Sequence, residues 1–220
     1  MIPARDGTYV VRVAVPAGWL DSNSLRVLAE AAEAFGDGEV HLTVRQGVEI
    51  HGVPGDRVEE VLEFLREHGL EPGSTGSRVR QITACPGARS CIHGLRDPRP
   101  LAERLHREFH GVWTPAKVKI AISGCPRGCP RPEANDLGVV AVGEGWRVLV
   151  GGEPYVTVGS SDEVVEVVDE VLEAYSRAAS PGVRLRSLVG RIGLSFLEAR
   201  EDGVGAEDGG AEARTQEGEG

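Results

Sequence analysis

Residues 8–15, TYVVRVAV, form a β-branched run stopped by Pro16 and Gly18, and they predict a strand. A helical pattern follows from about Ser24 to Phe35. Leu25, Leu28, Ala29 and Ala32 share one face there, and Asp21, Ser22 and Asn23 offer caps. Residues 39–44 and 47–52 predict two short strands, with Arg45 and Gln46 at the turn or strand edge between them. Residues 56–68 predict a second helix, whose stripe is Val58, Val61, Leu62 and Leu65 and whose stop is Gly69.

The order β-α-β-β-α over residues 8–69 resembles a ferredoxin-like half domain. The Gly- and Ser-rich stretch Pro72–Ser77 predicts a joint. Beyond it the pattern gives a strand at 79–84, a Cys-bearing turn, a helix from about Pro100 to His110 and a strand at 117–123. A second Cys-bearing turn leads to a hairpin of 137–142 and 146–151. Residues 163–178 form a strongly amphipathic helix, and Pro181 opens a last helical segment reaching about Ala199. The expected architecture is α/β (α+β) in two parts, residues 1–72 and 77–199. The Gly- and Glu-rich tail, 200–220, lacks the apolar residues for a core and is expected to be disordered.

Charge is uneven. The formal net charge of 220 residues is −10, of which residues 201–220 carry −6. The remaining balance does not suggest a polyphosphate-binding surface, so nucleic acid is not an expected partner. No apolar run approaches the roughly 20 residues that cross a bilayer. The N-terminal segment turns polar too soon for a signal peptide, so a cytoplasmic chain with no membrane partner is expected. Of 24 basic residues only two are lysines, Lys117 and Lys119, placed two apart. A compact ammonium does what a planar guanidinium cannot, and strand alternation would set both on one face, opposite Val118 and Ile120.

The four cysteines, Cys85, Cys91, Cys125 and Cys129, follow the pattern C-x5-C, 33 intervening residues, C-x3-C. Both pairs lie in Pro- and Gly-dense turns, ACPGARSC and SGCPRGCP, which bring backbone N–H groups toward sulfur. A four-iron cluster suits these turns best. Structural zinc is an alternative, although its knuckles space Cys more closely than x5. A disulfide pair or four unrelated thiols fit a reduced compartment and this clustering less well. The six histidines, His41, His51, His68, His93, His106 and His110, show no metal spacing that outweighs surface or capping roles.

Several segments occur together in one order: TVRQGVEIHGV at 43–53, RVRQITACPG at 78–87, KVKIAISGCPRGC at 117–129, then RPEANDLGVVA and RVLVGG. In these the chain resembles the siroheme-dependent sulfite and nitrite reductases, in particular their small, single-copy form, from about residue 8 to residue 199. The resemblance implies siroheme and a [4Fe–4S] cluster as cofactors. It implies Cys85, Cys91 and Cys125 as cluster ligands and Cys129 as the ligand that also bridges to the siroheme iron. It further implies that Arg45, Arg80, Lys117 and Lys119 line the face where an oxyanion meets iron.

Siroheme carries eight carboxylates, for which Arg89, Arg127 and Arg131 are candidate partners, with Gln46 adding a hydrogen bond. The implied activity is six-electron reduction of sulfite to sulfide. Nitrite reduction to ammonia is the alternative, and a cluster-binding relative in electron transfer or tetrapyrrole synthesis is another. Long relatives divide the substrate cations and the cluster cysteines between two copies of the unit, whereas this chain bears both sets. No flavin or nicotinamide fingerprint is visible, so a separate electron donor protein is expected. The single-unit architecture and the exposed strand edge of the half domain suggest a homodimer with sites shared between chains.

Overall fold

The structure is a computed structural model and describes residues 1–197; the acidic tail lies outside the described residues. Two sheets organise it. The first contains β1 (Ile2–Pro3), β2 (Tyr9–Val13), β3 (Val40–Leu42) and β4 (Val48–Val53), all antiparallel in the order β1-β2-β4-β3. Helices α1 (Ser22–Phe35) and α2 (Val58–Glu67) cover one face, so Val11, Val13 and Ile50 pack against Leu28, Ala31 and Leu65. The Asp21 carboxylate caps α1 by accepting from the Ser24 amide at 2.7 Å. Alternation turns Arg12, Glu49 and His51 to the other face.

The second sheet contains β5 (Thr83–Ala84), β6 (Ile120–Ser123), β7 (Leu137–Val142), β8 (Gly145–Val150) and β9 (Glu153–Val158), in sequence order. β5, β6 and β7 are parallel, and β8 and β9 complete an antiparallel meander. Helices α3 (Arg99–Phe109), α4 (Ser161–Ala178) and α5 (Leu185–Ile192) enclose a core that includes Ile82, Leu105, Ile120, Val139, Val168 and Tyr175. α4 starts on a reciprocal capping box between Ser160 and Glu163.

Two expected strands, 79–84 and 117–123, start well after the residue their alternation predicts. Val79 meets Val118 only in an isolated bridge, because its amide and carbonyl are taken by Val112 and Gly111. The Lys119 carbonyl accepts from both Asp136 and Leu137, so regular pairing starts one residue later. β1 and β9 were not expected. β9 carries Pro154 on a sheet edge beside a register shift, where a missing N–H is tolerated. The last helical segment is also shorter than expected: α5 ends at Gly193, φ 66°, and a single 3-10 turn, Ser195–Leu197, follows.

The joint at 72–77 is bonded to the half domain. Ala14 donates to Glu71 O at 2.8 Å, Gly73 donates to Arg12 O at 2.8 Å, and Ala17 donates across to Ile82 O at 3.0 Å.

Candidate functional site

Arg45 and Gln46 sit in the turn between β3 and β4, with Gln46 at φ 62°. Thr43 shapes this turn by accepting from the Gln46 amide at 3.0 Å and, through Oγ1, from the Gly47 amide at 3.1 Å. From there both side chains cross to the second sheet. Arg45 Nη1 donates to Asn135 Oδ1 at 2.8 Å and Nη2 to Gln81 O at 2.9 Å, while Gln81 Nε2 donates back to Arg45 O at 2.7 Å. A Cβ on Gly47 would stand 2.6 Å from Gln81 Oε1, so a larger residue here would push the Gln81 amide out of place. Gln46 pairs both ends of its amide with Ala84: Nε2 donates to Ala84 O at 2.7 Å and Oε1 accepts from Ala84 N at 3.0 Å. One dipeptide of the half domain therefore splints the strand that ends just before Cys85.

Beside this splint lies a cavity of about 220 Å³ between the two domains. Arg45, Arg80, Lys117 and Lys119, the four cations singled out in the sequence, all line it, and Arg12 is a fifth. Among the described residues no carboxylate lines it. Arg80 donates to the carbonyls of Ser74 and Gly76, which orients its fork along the joint. Val118 is fully buried between the two lysines, so alternation holds through this stretch although it lies outside β6.

Burial first, and crowded positive charge second, act on the protonation of these groups. Burial lowers the Arg45 pKa to about 10, assisted by Arg80 and Arg184 and opposed by Asp136; the side chain stays charged near neutrality. Partial burial also lowers the Lys119 pKa below the ordinary lysine value, and Arg45, Lys117 and Arg184 push the same way. Asp136 is the counterweight. This buried carboxylate accepts from the Lys119 amide at 2.9 Å and from Arg184 Nη2 at 2.5 Å. Sequence reasoning passed over Arg12, Asn135, Asp136 and Arg184. Arg12 was detectable as the single charge in an apolar strand, and the Asn-Asp pair as part of the RPEAND segment.

Cys85 and Cys125 follow β5 and β6, which pair in parallel with Ala84 opposite Ile122, so both leave the same end of the sheet. The Gly124 amide donates to Cys85 Sγ at 3.2 Å. Gly124 O in turn accepts from Leu95 at 2.8 Å and Arg96 at 3.1 Å, and Cys91 N donates to Gly87 O at 2.8 Å. Glycines make this closeness possible. A Cβ on Gly124 would come within 2.8 Å of Gly87 Cα, and one on Gly94 within 2.4 Å of Gly87 C.

All four cysteines are free thiols, which removes the disulfide alternative; Cys125 is buried, Cys85 and Cys91 are half-buried and Cys129 is exposed. Thiols in glycine-packed turns, with an amide aimed at one sulfur, are a donor set that fits an iron–sulfur cluster. Of the other residues singled out, Arg89, Arg127 and Arg131 are exposed around these turns, and Arg89 stacks over Trp19 at 5.4 Å. Gln46 is committed to Ala84.

Residues 75–202 match the nitrite and sulphite reductase 4Fe-4S domain, and residues 2–68 match the nitrite/sulfite reductase ferredoxin-like half domain. The chain belongs to the nitrite and sulfite reductase family, whose implied cofactors are siroheme and a [4Fe–4S] cluster. It is 43% identical over 138 residues to a coenzyme F420-dependent sulfite reductase of Methanocaldococcus jannaschii, a match covering 62% of this chain and 22% of that protein. It is 31% identical to a nitrite reductase [NAD(P)H] of Bacillus subtilis, covering 89% of this chain and 25% of that one. With an assimilatory-type sulfite reductase of Nitratidesulfovibrio vulgaris the identity is 28%, covering 86% of this chain and 90% of the relative. The chain thus spans about a quarter or less of the first two and nearly all of the third. Its fold matches the crystal structure of dissimilatory sulfite reductase I with a TM-score of 0.76 at 16% identity, over 94% of this chain and 72% of that one.

Proposed function

We propose that the chain catalyses six-electron reduction of sulfite to sulfide, with Arg45, Arg80, Lys117 and Lys119 holding the oxyanion. The observation that carries this reading is the cavity lined by these four groups and Arg12, with no carboxylate among the described residues. Such a site selects a small anion and stabilises charge that grows as electrons arrive. Cys85, Cys91, Cys125 and Cys129 would hold the cluster, and the exposed Cys129 would be the thiolate shared with siroheme. Bound together, these cofactors would relay electrons and supply the iron at which an oxyanion is reduced.

The protein's own groups divide the remaining work. Each sulfite oxygen leaves as water and needs protons. Lys119 is suited to deliver them, because burial and neighbouring cations weaken its hold on its proton. Arg45, which remains charged and is bonded to Asn135 and Gln81, serves as a fixed electrostatic clamp. Arg89, Arg127 and Arg131 would neutralise siroheme carboxylates. Electrons would come from a separate carrier protein.

Nitrite is the second reading, favoured by the similarity to a nitrite reductase over 89% of this chain and by a cation set that suits either anion. The test is anaerobic reoxidation of a reduced dye by the cofactor-loaded protein, with sulfite and nitrite offered separately. Siroheme absorption and faster sulfite-dependent reoxidation are expected. Preference for nitrite would move the assignment to the second reading, and a plain iron–sulfur spectrum with neither activity would sink both.

A further inference from the structure

Two clusters of two histidines and one glutamate lie away from the cysteine turns, and they differ in what their nitrogens already do. In the first, Glu71 accepts from His106 Nε2 at 3.0 Å and from His110 Nδ1 at 2.7 Å. The Ser74 amide donates to His110 Nε2 at 3.1 Å. That amide fixes the ring proton on Nδ1, the atom that would have to bind a metal. Both rings are almost fully enclosed, with 5% and 4% of their side chains exposed. This first cluster is a buried hydrogen-bonded clamp.

The second cluster is His41, Glu49 and His51, on the sheet face opposite α1 and α2. His41 and Glu49 are direct cross-strand partners between β3 and β4, and His51 follows two residues on along β4. Glu49 Oε1 is held by Arg12 Nε at 2.6 Å, which leaves Oε2 facing both rings: 2.9 Å to His41 Nδ1 and 3.7 Å to His51 Nε2. His51 Nε2 is enclosed and has no hydrogen-bond partner among the described residues. His41 is 59% exposed, so its ring proton can move to the solvent side at little cost. The three ligand atoms lie within 4.8 Å of one another. Donors about 2.0–2.1 Å from a tetrahedral zinc stand ~3.3 Å apart, between the two separations seen here.

We propose that His41 Nδ1, His51 Nε2 and Glu49 Oε2 form a binding site for one divalent first-row transition metal, with Arg12 orienting the carboxylate. Two imidazoles and one carboxylate are the donor set that such ions take, and a fourth position is left open to water or an anion. The arrangement is a face of three ligands on two adjacent strands, so the sheet itself sets their spacing. The site stands independently of the sulfite assignment.

The test is zinc binding to the protein with cluster and siroheme in place, so that the cysteines are occupied. Zinc alone is added, excess is removed by dialysis, and metal content and the zinc X-ray absorption edge are measured. The expected result is one zinc per chain in a nitrogen and oxygen shell with two imidazoles. His41→Asn and His51→Asn should each weaken binding at least tenfold, without altering the siroheme spectrum. His41→Asn is at an exposed position and keeps the test open if His51→Asn misfolds. No retained zinc, a sulfur shell, or unchanged affinity in the folded variants would each overturn the proposal.

Discussion

At the cavity, long side chains cross from one domain to the other: Arg45 to Asn135 and Gln81, and Gln46 to Ala84. At the cysteine turns the close contacts are made by backbone, with Gly87, Gly94 and Gly124 packed where no Cβ fits. The first region specifies by which functional groups are present, the second by which atoms are absent. Substitutions should therefore fail in different ways. Change at the cavity's lysines should alter chemistry while the fold persists, whereas change at the turns should cost the metal content before any effect on substrate can be read.

The largest expected effect tests that division at Cys129. Cys129→Ser should abolish turnover and reduce siroheme retention, because a hydroxyl is a poor ligand for either iron centre. Visible spectra and iron content check it, and normal values for both would reassign the bridging thiolate. Next comes Lys119→Arg, which keeps charge and fold but is expected to slow sulfite reduction ten- to a thousandfold, about 1.4–4 kcal/mol in the barrier. Its pH profile adds a signature. Wild-type turnover should fall with rising pH as Lys119 deprotonates, earlier than an ordinary lysine would, and the arginine variant should lack that alkaline limb.

Gly124→Ala should be worse for iron content than for the rest of the fold. Its Cβ would meet Arg96 O at 2.6 Å, and opening the turns to relieve this costs about 1–3 kcal/mol. Iron per chain should drop sharply. Gly190→Ala in α5, with open space around the added carbon, should instead raise stability by about 0.5–1 kcal/mol. Gln46→Ala removes both side-chain bonds to Ala84 and should lower stability by about 1–3 kcal/mol, visible in the thermal midpoint.

The smallest effect is expected at Glu71→Gln. Hydrogen bonds from His106 and His110 lower the Glu71 pKa to about 2. The depressed value means that its contribution is complete above pH 4.5 and is lost as pH falls toward 2. Solvent exposure of the carboxylate limits the cost near neutrality to about 0.5–1 kcal/mol. Denaturant midpoints of variant and wild type should converge in acid.

Where α2, α3 and α4 fall and how the cysteines are spaced were legible because each is local. The buried face of α1 was misjudged: Leu25 and Ala29 are exposed, and Val27 and Ala31 take their place in the core. The apolar stripe of α2 and the caps of α1 declare themselves within a few residues. What was not legible depends on pairs far apart in the chain. The histidines gave no metal signal by spacing, because His41 and Glu49 become neighbours only when β3 pairs with β4. The pairing of the Gln46 amide with Ala84 joins residues 38 apart in the chain and has no local signal. The strand expected over 117–123 starts late for a similar reason, since the Lys119 carbonyl turns toward residues 136 and 137. Side-chain alternation survives without a strand ladder, so the facing of the two lysines could be read correctly while the element was not.

The grip of Gln46 on Ala84 also bears on the order in which the molecule is made. Residues of the half domain leave the ribosome before the first cysteine is synthesised, and small domains fold as units during synthesis. The turn that holds β5 can thus be in place when the ACPG segment emerges, so the first thiol is delivered onto an existing template. On the proposed cysteine ligation, iron would then meet a partly built mould rather than a loose chain.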